Sequence, residues 1–227
     1  MNEQKGVFKN LYKNLITPIL KKDSGLDAEY LTNFSLSLLS FSSRKQNWPV
    51  ISSILKSLNE EFCIIDKRLS QEICGINFCN PIGLAAGFDK NGTAANIWRD
   101  FGFGFAEVGT VTKFAQDGNP KPRLFRLANE EAALNRMGFN NNGAKNLVKN
   151  FLEQGIELKQ NRKNLCLGIN FGKSKITGLS AAKEDYLTSL KLLIPYCDYA
   201  AINVSSPNTE GLRKLQDPLL LRELLKE

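Results

Sequence analysis

The sequence predicts an α/β protein, a parallel sheet covered by helices and preceded by a small helical region. Three observations carry that reading. From about residue 61, short apolar segments without inside–outside alternation recur between helix-like stretches, the pattern of strands buried on both faces. Each segment runs into a polar or glycine-rich loop: "GFDKNG", "GTVTKF", "NFGKSK" and "NVSSPNTEG". The first 60 residues carry only helical periodicity.

In that first region Val7, Phe8, Leu11, Tyr12, Leu15, Ile16, Ile19 and Leu20 recur at helical spacing, with Lys5, Lys9, Lys13, Lys21 and Lys22 between or beside them. "SGLDAEY" breaks the pattern, and "YLTNFSLSLLSF" and "WPVISSILKSLNEEF" read as two further short helices. Such a basic, amphipathic element can lie on a membrane surface. It can equally pack its apolar face on the main domain.

In the second region "NPIGLAA" (80–86) reads as a buried strand and "TAANIWRDFG" (93–102) as the helix after it. "FAEVGTV" (105–111), "LCLGINF" (165–171) and "YAAINVS" (199–205) read as the next strands. "NGAKNLVKNFLEQG" (142–155), capped at Asn142, and "KEDYLTSLKLLI" (183–194) are the helices between them. "DPLLLRELLKE" (217–227) begins another helix, with Asp217 as cap and Pro218 in the first turn. Ligands of parallel α/β sheets bind at the C-terminal strand ends. The four loops therefore predict one composite site.

Composition narrows the chemistry. The chain has 227 residues, 42% of them hydrophobic, enough for a substantial core in one or two domains. No apolar run approaches the ~18–20 residues of a membrane span, and the N-terminus lacks the compact apolar region of a signal peptide. The five cysteines form no CxxC pair and read as free thiols of a reducing compartment. There is no histidine, which excludes His-containing metal sites and Ser-His-Asp triads. The net charge of +7 suits an anionic ligand, an acidic membrane or nucleic acid. No Arg-rich run or basic–aromatic interleaving supports the last, so no nucleic-acid partner is expected.

Taken singly, the motifs are ambiguous. "GINFGKSK" (168–175) has three residues between its glycines, where a P-loop needs four; it is a close-approach loop or a plain turn. In "AAGFDKNG" (85–92) small residues let a flat ligand approach the backbone, and Lys90 suits a carboxylate, or is a solvated turn lysine. "NRMGFNNNGAKN" (135–146) offers amides that both donate and accept. That suits an amide-bearing planar ring, or a turn and a helix cap. "NVSSPNTEG" places Ser205 and Ser206 between Asn203 and Asn208. No GxSxG elbow is present, and a serine needs activation to react, so a loop held by side-chain bonds to backbone is the alternative.

Together, "NPIGLAAGFDKNG", "GFGFAEVGTVT", "GNPKPRLFRL", "NRMGFNNNG", "LGINFGKSK" and "DYLTSLKLLIPYCDYAAINVSSPNTEGLRKLQ" resemble dihydroorotate dehydrogenase. The similarity runs from about Leu69 to Leu215. It points to the class 2, quinone-dependent, membrane-associated type, because the chain has a helical N-terminal extension and carries Ser206 where class 1 enzymes have cysteine. The resemblance implies a TIM (βα) barrel with FMN that oxidises dihydroorotate to orotate in pyrimidine (UMP) biosynthesis and passes electrons to a membrane quinone. It implies Ala86, Gly87 and Thr110 along the flavin, with Asn170 and Asn203 bonding the flavin or the substrate edge. Lys90 would meet both the flavin and the orotate carboxylate. Asn135, Arg136, Met137, Gly138 and Phe139 would hold the pyrimidine, with Asn203 and Asn208 completing the amide contacts. Ser206 would be the base at C5, Thr209 its proton relay, and Arg126 a lining residue of the quinone tunnel.

The resemblance also sets departures. Only about four βα units are legible, where a full barrel has eight and ~250 residues. The expected chain is thus the N-terminal portion of a barrel, C-terminally truncated, with residues 1–60 as the quinone- and membrane-associated region and 61–227 as half of the FMN-binding barrel. Alone it is expected to hold FMN poorly and to be inactive. Thr32 falls about where the family has a histidine. The alternatives are a non-catalytic fragment of this enzyme or another FMN barrel acting on a pyrimidine. A dihydropyrimidine dehydrogenase domain would carry cysteine at 206 and iron–sulfur clusters, and neither is seen. The expected location is the bacterial inner membrane, on its cytoplasmic face, or the mitochondrial inner membrane.

Overall fold

The computed structural model describes residues 6–18, 27–127, 130–160 and 166–226. The expected helix positions Lys5, Ile19, Leu20, Lys21 and Lys22 lie outside them. Helix α1 (Val7–Leu11) runs into a π-helical turn at Tyr12–Ile16. Helices α2 (Ala28–Arg44) and α3 (Pro49–Phe62) follow. Asp27 caps α2, its carboxylate accepting from the Tyr30 N–H at 2.8 Å, and Pro49 opens α3, where its missing donor costs nothing.

The sheet is parallel and four-stranded: β3 (Gly83–Leu84), β4 (Phe105–Val111), β7 (Cys166–Phe171) and β8 (Tyr199–Ile202), in that order. It is open among the described residues; no closed barrel forms. The two central strands are buried as their patterning predicts. Val108, Leu167, Ile169 and Phe171 are inaccessible and pack against Leu147 and Phe151 of α4 (Ala144–Glu153) and Leu193 of α5 (Ala182–Leu193). The edge strands are shorter than expected and only partly buried. Only Gly83–Leu84 of 80–86 forms ladder bonds, and β8 ends at Ile202 because Asn203 turns into the following loop.

Two other expectations fail for local reasons. Residues 93–102 are not a continuous helix but turns followed by a 3₁₀ helix at Trp98–Phe101. The buried Asp89 carboxylate explains this: it takes the N–H groups of Thr93 and Ala94 and the indole N–H of Trp98. The first turn is thereby tied to Asp89 rather than wound on its own carbonyls. Burial pushes the Asp89 carboxyl up, and those donors oppose the shift. Asn142 does not cap α4. Its N–H donates to Asn91 Oδ1 at 2.8 Å, and Gly143, at φ +83, begins the helix, a conformation glycine adopts freely. At α6 (Pro218–Leu225) the Asp217 cap forms as expected, accepting from Leu219 and Leu220 N–H.

Two antiparallel hairpins escaped the sequence reading: β1 (Gln71–Ile73) with β2 (Ile76–Phe78), and β5 (Leu124–Leu127) with β6 (Ala132–Asn135). The first has the signal of a two-residue turn. Cys74 and Gly75 both have positive φ, which suits the twist of paired strands.

Candidate functional site

Strand register brings the predicted loops together at the C-terminal edge of the sheet. Gly109 of β4 pairs with Asn170 of β7, which pairs with Ala201 of β8. A register shift at Gly109–Val111 leaves Thr110 outside the ladder. Its hydroxyl donates to Asn170 Oδ1 at 2.6 Å. Asn203 Nδ2 reaches Thr110 Oγ1 at 3.3 Å and Asn170 Oδ1 at 3.2 Å. Three side chains, from β4, β7 and the loop that follows β8, thus share one polar cluster.

Residues outside the predicted set hold this cluster. Glu107 Oε1 accepts from Asn170 Nδ2 at 2.8 Å, and Glu107 Oε2 accepts from the Tyr199 hydroxyl at 3.1 Å. Burial first, and the Glu107 charge second, push the Tyr199 phenol well above its ordinary range, so it stays a donor. The Tyr186 hydroxyl of α5 donates to the Asn203 carbonyl at 2.8 Å. Glu107 and Tyr199 were legible only as polar residues inside apolar strands. Gly168, singled out in the failed P-loop, belongs to strand β7. A Cβ there would lie 2.1 Å from the Tyr199 ring, so the absence of a side chain lets that ring cross the sheet.

The second predicted cluster lies on the loops. Lys90 Nζ donates to Asn140 Oδ1 at 2.6 Å and lies 2.8 Å from Met137 Sδ. Burial lowers the Lys90 pKa to about 8, with the Glu29 charge opposing and the Arg123 charge assisting. Asn140 was quoted within an amide-rich stretch but not chosen. The Phe139 ring and the Thr110 methyl flank Gly172, where a Cβ would come within 3.0 Å of the ring and 2.6 Å of the methyl. Phe139 therefore stands between the loop and the strand-end cluster. Gly87, at φ +106, has open space where a Cβ would be, its N–H donates to the Gly109 carbonyl at 2.7 Å, and Ala86 precedes it.

Other predicted residues are placed differently. Asn135 accepts from the Met137 N–H at 2.9 Å and shapes the loop. Arg136 is exposed; its guanidinium donates to the Pro122 carbonyl at 3.1 Å and lies 6.0 Å from the Phe125 ring centre, away from Lys90. Gly138 packs against the Asn119 side chain, which would meet a Cβ at 3.0 Å. Ser205 closes a turn on Asn203 Oδ1 through its N–H and its hydroxyl. Ser206 Oγ accepts from the Asn208 N–H at 3.3 Å. Thr209 is buried, and no hydrogen bond joins it to Ser206 among the described residues. Arg126 lies exposed on β5, opposite Ala133, and α2 packs against that strand. Thr32 bonds within its own helix, to the Ala28 carbonyl.

A cavity also lies elsewhere. About 450 Å³ opens at the other end of the sheet, beside Cys63, Ile65, Asn80, Arg99 and Phe103. Asn80 and Phe103 precede β3 and β4, so this space is not continuous with the polar cluster.

What the strand-end cluster offers is hydrogen-bonding amides beside an open backbone at Ala86–Gly87. That donor set fits the edge and face of a flat, amide-bearing ring, and the half-buried Lys90 ammonium fits a carboxylate or a ring heteroatom. Among the described residues no helix is long and apolar enough to cross a membrane, and no cluster of three or more His, Cys, Asp or Glu could hold a metal.

Comparison with known proteins identifies the family. The family model of dihydroorotate dehydrogenase matches residues 68–227. A dihydroorotate dehydrogenase (quinone) of Prochlorococcus marinus is 54% identical over 216 residues, covering 95% of this chain and 55% of the relative. One of Trichormus variabilis is 50% identical over 220 residues, covering 95% and 56%. The crystal structure of the Eimeria tenella enzyme with ferulenol superposes with a TM-score of 0.72 at 35% identity, covering 97% of this chain and 52% of that one. The chain spans about half the length of the curated relatives it matches. With a family model over most of its length and relatives named alike, the chain belongs to the dihydroorotate dehydrogenase family.

Proposed function

We propose that the chain serves the oxidation of dihydroorotate to orotate in pyrimidine biosynthesis, with FMN as cofactor and a membrane quinone as electron acceptor. The observation that carries this reading is the joining of Thr110, Asn170 and Asn203, at the ends of three parallel strands, beside the open Ala86–Gly87 backbone. Bound there, FMN would supply hydride acceptance from substrate C6. Asn170, Asn203 and Thr110 would hold ring amides by exchanging their mutual bonds for bonds to ligand. Lys90 would meet the substrate carboxylate; protonated at neutral pH, it keeps the charge that this contact needs. Met137, Gly138 and Phe139 would cover the pyrimidine, with Asn135 shaping their turn and Arg136 at its rim. Asn208 would complete the amide contacts from its side chain. Ser206 is assigned the proton at C5. As Ser206 takes the C5 proton its own hydroxyl proton must leave, and the Asn208 N–H on its oxygen would steady the charge on that oxygen during the exchange. Thr209 is the adjoining hydroxyl. A weak base held in place suffices, because departure of hydride acidifies the neighbouring C–H.

For residues 1–60 we propose the membrane and quinone role, with Arg126 at the tunnel beside α2 and residues 61–227 as the barrel portion. Tyr30, Phe34, Leu38 and Phe41 form an exposed apolar row on α2 at i, i+4, i+8 and i+11. Ser35, Ser37 and Ser42 return their hydroxyls to carbonyls of the same helix, which suits an apolar environment. A lipid surface is the partner such a face fits, with basic Lys45 at the end of the helix. No nucleic-acid partner is proposed.

The test uses a barrel completed to the length of the relatives, loads it with FMN and adds dihydroorotate without oxygen. The flavin absorbance should bleach. Ser206→Ala should retain flavin and bleach at least ~100-fold more slowly. Bleaching at the wild-type rate in Ser206→Ala removes Ser206 from the role of base. Absence of both bleaching and orotate binding in the wild type sinks the activity.

A further inference from the structure

Glu29 stands in the first turn of α2 and is only 3% exposed. Its carboxylate receives two bonds from Arg123, from Nε at 2.8 Å and Nη2 at 2.6 Å. These bonds hold the Glu29 carboxyl below its ordinary range, against the opposing effect of burial. Lys121 approaches the same carboxylate at 3.6 Å. The remaining Arg123 nitrogen, Nη1, donates to the Asp117 carbonyl and, at 2.7 Å, to the Asn119 carbonyl.

The segment so fixed grips the amide-rich loop. Asn119 N–H donates to the Met137 carbonyl at 2.9 Å, and Asn119 Nδ2 to the Arg136 carbonyl at 2.8 Å. Gln116 Nε2 donates to the Gly138 carbonyl at 3.2 Å. The Arg136 N–H returns to the Arg123 carbonyl at 2.9 Å. Three successive carbonyls are thus held, two by Asn119, which Arg123 anchors, and one by Gln116, the chain neighbour of the anchored Asp117, and Met137 in the middle carries its sulfur to Lys90.

We infer that Glu29, acting through Arg123, is a positioning residue for the loop Asn135–Phe139 and for the Lys90 ammonium behind it. Its meaning for substrate rests on the proposed function; its mechanical content does not. Helix α2 is then part of the ligand site as well as a candidate membrane surface. Deleting residues 1–60 would loosen orotate binding along with any quinone contact.

Charge gives a readout that a merely structural role would not move. The charged groups acting on Lys90 are Glu29, which favours its protonation, and Arg123, which opposes it. Neutralising Glu29 leaves Arg123 uncompensated, so Lys90 loses its proton at lower pH. The chain contains two methionines, Met1 and Met137, so the 13C-methyl spectrum of methionine-labelled full chain has one signal from the loop.

In the wild type the Met137 signal should titrate with a midpoint near pH 8. In Glu29→Gln the midpoint should fall and the signal at pH 7 should shift or broaden. Arg44→Gln, which breaks the α2 contact to Glu153 at the other end of the helix, should leave both unchanged. A folded Glu29→Gln protein with wild-type signal and midpoint overturns the inference. Should Glu29→Gln not fold, Glu29→Asp keeps the charge and shortens the reach; it should move the Met137 signal while nearly keeping the midpoint, and an unmoved signal overturns the inference equally. Addition of orotate separates the two readings: a wild-type Met137 signal indifferent to orotate counts against the substrate assignment, not against the positioning.

Discussion

The central strands and helix α2 use apolar side chains in opposite directions. In β4 and β7, Val108, Leu167, Ile169 and Phe171 point into a closed core. In α2, the residues that are buried are Ala28, Glu29 and Ser43, while Phe34, Leu38 and Phe41 are at least half exposed. The helix is moored by polar contacts near its two ends: Glu29 to Arg123, Ser43 to Gln154 at 2.8 Å, and Arg44 to Glu153 at 2.9 Å. Leu36 and Leu39 pack on the core from the other side of the helix, and the directional bonds add to its placement without covering its apolar row. Hydrophobic burial, which is non-directional, is fuller in the sheet. The difference teaches that large apolar residues in this chain mark a core in one region and a contact surface in the other.

The comparison breaks most visibly under truncation of the core. Phe171→Ala should cost about 3–5 kcal/mol, whereas Phe34→Ser should change stability by less than about 0.5 kcal/mol. Urea denaturation of both measures this; equal losses would mean that Phe34 is core. Next in size is binding to anionic vesicles. Phe34→Ser with Leu38→Ser should weaken it at least ~10-fold, with no change in the denaturation midpoint. Vesicle binding that is unaffected would leave the exposed row without its proposed partner.

The smallest effect sharpens the view of the loop cluster. Lys90 deprotonates near pH 8 in the folded chain and near 10.5 when free. Its folded pKa is depressed, so it destabilises the native state below pH 8, and this penalty fades as pH rises toward 10.5. Lys90→Met should therefore gain about 1–2 kcal/mol at pH 7, after a loss for leaving Asn140 Oδ1 unpaired. The gain should shrink above pH 8 and be absent by about pH 10.5. A gain independent of pH would show that Lys90 is not desolvated.

The composite site was legible because its residues occupy strand ends, and strand ends of a parallel sheet are neighbours whatever their separation in sequence. That rule gathers the loops; singling out Thr110, Asn170 and Asn203 within them is what the family resemblance supplies. Lys90 and Met137 were placed on loops, but nothing in their spacing puts the sulfur beside the ammonium. Glu107 and Tyr199 were missed because an acidic or phenolic residue within a strand has no local signature of its partner across the sheet. The helix expected at 93–102 failed for a related reason: the Asp89 side chain competed for its first N–H groups.

The sequence by itself determined the α/β class, the central strands, the helices α2, α3 and α5, the cap at Asp217 and the membership of one loop set in one site. These rest on periodicity, turn chemistry and short-range hydrogen bonding, which are local. Only the tertiary structure decided which face of α2 is exposed, that Arg123 joins that helix to the amide loop, and that Lys90 is desolvated. Each of those depends on residues tens of positions apart meeting in a low-dielectric environment, and no local pattern encodes which charge will find which partner there.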